Sequence, residues 1–157
     1  MRTILIATML FISIAKVNAQ HDYKALLDKL YQYSETAFAA ISGPEDKESF
    51  FIPCTIAPGI GMIRINKTSF GTTLNWEIPL AQSIQVQKQT IAFIRSRYND
   101  TTKYQTGSDG TEEEGQIWTT VYVINGDAKP IPVFKTIYYR DTEEPEKSSF
   151  SIIFYGK

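Results

Sequence analysis

The chain has 157 residues, 43% of them hydrophobic and 21% charged, with a formal net charge of −1. That length suits a single domain, which can bury roughly 68% of its unfolded surface without a disulfide or metal staple. One cysteine excludes a disulfide-dense scaffold, and 16 basic against 17 acidic residues argue against nucleic acid, which needs a clustered basic surface.

Residues 1–19 follow the order of a secretory signal peptide: Arg2 supplies charge, an apolar run follows, and Val17, Asn18 and Ala19 place small residues at a cleavage position. The run is too short to span a bilayer, and no second apolar run stops transfer. The expected mature domain is residues 20–157. It is expected to be exported, periplasmic or extracellular after cleavage near Ala19, with no membrane span. Losing Arg2 and Lys16 leaves it more acidic than the full chain.

Residues 22–41 predict an amphipathic helix. Leu27, Leu30, Ser34, Ala37 and Ile41 recur at spacings of three and four, and Gly43-Pro44 is a stop signal. Residues 50–56, 61–66 and 72–78 predict three strands. Cys54 lies among apolar neighbours, the setting of a buried strand cysteine and not of a nucleophile. Residues 81–98 predict a second helix, with Ile84, Lys88, Ile91, Arg95 and Tyr98 in one row. Residues 99–115 are polar, with Tyr104 as the only core-forming side chain, and predict a long mobile loop.

Three strands are expected to close the chain, over residues 116–124, 131–140 and 149–155. Asn125-Gly126 marks a hairpin turn. The expected fold class is α+β, in the order α-βββ-α-βββ. Two amphipathic helices would pack on one face of a five- or six-stranded antiparallel sheet. The last strands carry bulky residues on both faces, so the second face is either covered or binds something. The candidate binding set is Trp118, Tyr122, Phe134 and Tyr138, expected on one accessible face.

Chemistry is sparse. His21, the only histidine, sits at the expected mature terminus, and one histidine with one cysteine cannot build a zinc set. The run Asp109 to Glu114 lacks the alternating order of a calcium loop. Asp141, Glu143, Glu144 and Glu146 read as a solvated acidic turn. Lys88, Arg95 and Arg97 read as a solvated helix face. No glycine-rich phosphate loop occurs. No metal and no cofactor are expected. Glu77 is the only acid embedded in an early strand. It enters only under an alternative reading as a hydrolase of cell-wall or extracellular polymers, paired with an acidic loop residue.

The stretch Leu30-Tyr31-Gln32-Tyr33-Ser34-Glu35-Thr36-Ala37-Phe38-Ala39-Ala40-Ile41-Ser42-Gly43 precedes an apolar strand and turn at Pro53 to Gly59 and a late aromatic strand at Phe150 to Tyr155. With the Asn18-Ala19-Gln20 context, this outline resembles uncharacterised small exported proteins of bacteroidete bacteria. The chain departs from it around Gly107 to Gly115, where the polar segment is longer. The resemblance implies an envelope or secreted protein, with no activity or catalytic residues to transfer. The expected function is a non-catalytic binding module for an unknown protein, peptide or glycan ligand. A chaperone-like dimer for an exported partner is a second alternative.

Overall fold

The computed structural model describes residues 22–45, 50–69, 71–113, 115–126 and 131–157. The expected leader, residues 1–19, and His21 lie outside the described residues. Helix α1 spans Tyr23–Ser34 and α2 spans Ile84–Arg97. The strands are β1 (Phe51–Pro53), β2 (Met62–Thr68), β3 (Gly71–Pro79), β4 (Tyr104–Glu113), β5 (Gln116–Asn125), β6 (Ile131–Asp141) and β7 (Ser149–Tyr155). They form one antiparallel sheet of seven strands in the order β1-β2-β3-β7-β6-β5-β4. The fold is therefore α+β. Two meanders meet at their last strands, β3 and β7, and the α2 crossover carries the chain from the sheet centre to its far edge.

Both helices bury against one sheet face. The core joins Leu27 and Leu30 of α1 and Val86 and Phe93 of α2 to Leu74, Trp76, Ile152, Phe154 and Phe134 of the sheet. Phe93 is its hub, with ring centroids 5.5 Å from Phe134, 5.8 Å from Phe154 and 6.1 Å from Tyr31. The Trp76 indole N–H donates to the Ile60 carbonyl at 2.9 Å, so the largest core side chain leaves no unpaired donor.

Several expectations are corrected, first among them the sheet, which has seven strands and not five or six because residues 104–113 add an edge strand. The first helix ends at Ser34, not near residue 41. The Phe38 amide donates to the Tyr33 carbonyl at 2.9 Å and the Ala37 amide to Ser34 at 3.2 Å, the paired bonds of a Schellman end. Ala37 and Phe38 take φ of 48° and 65°, and Phe38 turns into the core. Burial of that ring offsets the cost of the left-handed backbone. On α2 the buried stripe is Val86, Thr90 and Phe93, while Ile84 and Ile91 of the expected row are exposed. Cys54 is half-buried just beyond β1, where it bridges to Ser42; burial pushes its thiol pKa up, away from the reactive thiolate.

The largest correction concerns residues 99–115, which hold a ten-residue strand, β4, and not a long loop. It pairs with β5 from Tyr104↔Asn125 to Glu113↔Gln116. The turn is tight, and Gly115 supplies its φ of 77°. The strand shows no apolar alternation because it is the sheet edge: its helix-side residues Thr106, Ser108 and Gly110 are exposed to solvent.

The acidic turn after β6 is also more than a solvated charge run. Asp141 is buried, and its Oδ1 accepts the Glu143 and Glu144 amides at 2.9 and 2.8 Å. Its Oδ2 accepts the Tyr139 hydroxyl at 3.0 Å. The Glu144 amide, foremost, with the Tyr139 hydroxyl and the Glu143 amide, holds this carboxyl below the ordinary carboxylate range. A group with a lowered folded-state pKa stabilises fully above its unfolded pKa and loses that contribution as pH falls through the folded value. Asp141→Ala is therefore expected to melt below the wild type at pH 7, with the gap closing on acidification to pH 3. Thermal melts across that range check this, and a gap independent of pH would refute it.

Candidate functional site

Directly opposed residues of antiparallel strands share a face, so the pairing defines transverse rows across the sheet. One row runs Arg64, Asn75, Ile153, Lys135, Tyr122, Gly107. The next runs Met62, Glu77, Ser151, Ile137, Thr120, Asp109. A third runs Pro79, Ser149, Tyr139, Trp118, Thr111. All three lie on the face opposite the helices, and among the described residues no helix covers it. Most of their apolar and aromatic members are half-buried by their neighbours alone; Met62 at the β2 end is 52% exposed.

The face is built rigidly at its β5–β6 centre. Trp118 packs on Tyr139 with centroids 5.4 Å apart, and the Tyr139 hydroxyl is fixed on Asp141. Tyr122 lies across β4 above Gly107, where an added Cβ would come within 2.5 Å of the tyrosine ring. A glycine in a strand marks such a close approach. Beside it opens a depression of about 550 Å³ lined by Tyr122, Tyr155, Lys135, Asp109, Thr120 and Ile124, among others. Burial pushes the Tyr155 phenol pKa up, so it is a neutral hydroxyl at pH 7.

The expected aromatic set does not share one face. Trp118 and Tyr122 lie on the open side. Phe134 pairs with Val123 and Phe154, is fully buried, and belongs to the helix-side core. Tyr138 pairs with Thr119 and Phe150 on that same side. The physical reason is register. Val123 opposes Phe134 while Ile124 opposes Pro132, so Val133 is an extra residue at a bulge, a place where proline costs no ladder bond. The open-face partners of Trp118 and Tyr122 are Tyr139 and Lys135, which alternation within β6 alone could not select. Lys135 had a sequence signal: a charge embedded among Val133, Phe134, Ile137 and Tyr138 in the middle of the strand.

Tyr138 instead lines a groove of about 280 Å³ between α2 and the sheet, with Ile91, Ile94, Val121, Thr136 and Phe150. Its wall is largely apolar, and its polar groups come from Gln87, Tyr138 and three threonines.

Glu77 is exposed on the open face, in a depression of about 450 Å³ with Arg64, Met62, Glu146 and Lys147. The acidic run does not join it. Asp109 shares its row but stands four strand spacings away, roughly 19 Å. That is well beyond the separation of about 5–9.5 Å at which two carboxyl groups flank a glycosidic bond. The basic set on α2 is also dispersed: Arg97 binds Asp28 of α1 at 2.7 Å and stacks on Tyr31, so it ties the two helices together.

Among the described residues no three His, Cys, Asp or Glu side chains are grouped to hold a metal ion, and no helix is long and apolar enough to cross a membrane. Compared with known proteins, the chain matches no family model, no curated protein and no solved structure.

Proposed function

We propose that the chain is an exported, non-catalytic binding module whose binding surface is the open sheet face around Trp118, Tyr122 and Tyr139. One observation carries this reading: bulky aromatic side chains with polar tips occupy a sheet face that no helix among the described residues covers, where an antiparallel sheet ordinarily presents polar residues to water. The export element rests on the charged, apolar, small-residue order of residues 1–19, and the outline resemblance to exported bacteroidete proteins agrees with it. The hydrolase alternative has one acidic pair, Glu77 with Glu146 of the turn after β6, but both side chains are exposed to solvent in an open depression and Asp109 stands far from them.

The test is Trp118→Ala combined with Tyr122→Ala. Calorimetric titration against neutral polysaccharides, acidic polysaccharides, peptidoglycan fragments and extended peptides is expected to find a ligand for the wild type. The double variant is expected to bind it at least tenfold more weakly while melting within a few degrees of wild type. Unfolding of the variant would place these rings in the stabilising core, and undiminished binding would move the site elsewhere; either result rejects the proposal. A stable dimer that buries this face in solution, the mark of the chaperone-like alternative, would also reject it.

A further inference from the structure

We propose that the ligand of this face is an acidic saccharide, a uronate-bearing glycan whose carboxylate meets Lys135 while its ring stacks on Tyr122. This inference rests on the open face being the binding surface, and it names the class of ligand. A pyranose presents C–H bonds on its faces and hydroxyls around its rim. The C–H face suits the electron-rich face of an aromatic ring, and the rim needs hydrogen-bonding groups beside that ring. The depression supplies both: the Tyr122 and Tyr155 rings, and the carboxylate of Asp109 and hydroxyl of Thr120. Its volume of about 550 Å³ falls in the range of small-ligand sites.

The charge of the ligand follows from Lys135. It sits in mid-row between Ile153 and Tyr122 and makes none of the ion pairs among the described residues; Lys29, Arg64, Lys88, Arg95, Lys103 and Arg140 make none either, but they are exposed, whereas Lys135 is half-buried beside Tyr122 and Tyr155 in the depression. Asp109, the acid lining the same depression, forms no ion pair with it. An ammonium among half-buried rings attracts an anion more strongly than one in open water. The face is built on strands, and Gly107 lets Tyr122 lie across β4, so stacking needs little ordering on binding. The net charge of the chain is slightly negative, so attraction is local and its salt dependence reports a single contact.

Polygalacturonate and its fully methyl-esterified form share a backbone and differ in charge, which makes them the matched probes; alginate and hyaluronan extend the acidic set. Affinity electrophoresis and calorimetry are expected to show binding to at least one acidic polymer. For polygalacturonate, binding should be at least tenfold tighter than to the ester. Lys135→Gln should lower acidic-polymer affinity tenfold or more, Lys135→Arg should retain it within about threefold, and Lys88→Gln on exposed α2 should change nothing. Thermal melts establish that each variant folds. Equal binding of the acidic and esterified forms, or indifference to Lys135→Gln, overturns the acidic class while leaving the open-face reading intact. So does a neutral glycan or peptide ligand that is lost in the Trp118–Tyr122 double variant. Binding of no saccharide overturns the inference, and saccharide binding that survives the double variant overturns both.

Discussion

Phe93→Ala is expected to destabilise the domain by roughly 3–5 kcal/mol, the range for deleting a fully buried phenylalanine. The residue has no exposed surface, and its ring meets α1 through Tyr31, β6 through Phe134, β7 through Phe154 and the end of α2 through Tyr98. Three other elements and the end of its own helix converge on one side chain, so the site cannot collapse by a local shift and a cavity persists. Urea unfolding measures the loss. Phe93→Leu keeps most of the volume and should cost less than about 1.5 kcal/mol. A loss below about 1 kcal/mol for the alanine variant would mean that α2 does not dock on the sheet through this ring.

Gly61→Ala is the second large effect, and it acts through backbone. Gly61 immediately precedes β2 with φ of 67°, a conformation costing other residues about 1–2 kcal/mol. An added Cβ would also stand 2.1 Å from the Glu77 carbonyl oxygen of the neighbouring strand. No rotamer relieves a clash with backbone, so β2 and β3 must separate at this end. The expected loss is about 3 kcal/mol or more, the strain and the displacement together. Gly71→Ala is the control: φ is 134° but nothing lies within 4 Å of the added carbon, so only the conformational cost applies. Equal losses in the two variants by chemical denaturation would refute the clash. Because the Ile60 carbonyl accepts the Trp76 indole, Gly61→Ala should also shift tryptophan fluorescence, which Gly71→Ala should leave alone.

The two effects arise from different kinds of information. Phe93 stands in a helical pattern, yet that pattern pointed equally to Ile84 and Ile91, which are exposed. Which side of α2 is buried depends on where the crossover lays the helix, and it lies over β6 and β7, meeting β4 at its first residue, Tyr104, through Tyr98. The same placement hid β4 in the sequence. Past Tyr104, which packs on Tyr98, this edge strand lies beyond the helices and has nothing to bury, so Ser108, Asp109 and Gly110 alternate in no readable way, and its order comes from backbone pairing with β5. The end of α1 was hidden too, because a left-handed Ala37 and Phe38 do the work usually signalled by glycine.

Local chemistry, by contrast, was readable. The α+β class, the existence of both helices and the approximate positions of six strands follow from periodicity and turn residues, which act over a few positions of chain. Two-sided apolarity in the last strands was also visible, since side chains alternate along any strand. Tertiary structure alone decided which aromatic groups meet. Register sorts Trp118 and Tyr122 with Tyr139 and Lys135, and sends Phe134 and Tyr138 to the helix side. A shift of one residue exchanges the faces of a whole strand, and the bulge at Val133 is set by pairing with β5, not by the composition of β6. The sequence by itself thus determined the elements and their two-faced character. The open aromatic face and the lysine at its centre exist only because seven strands align in one register.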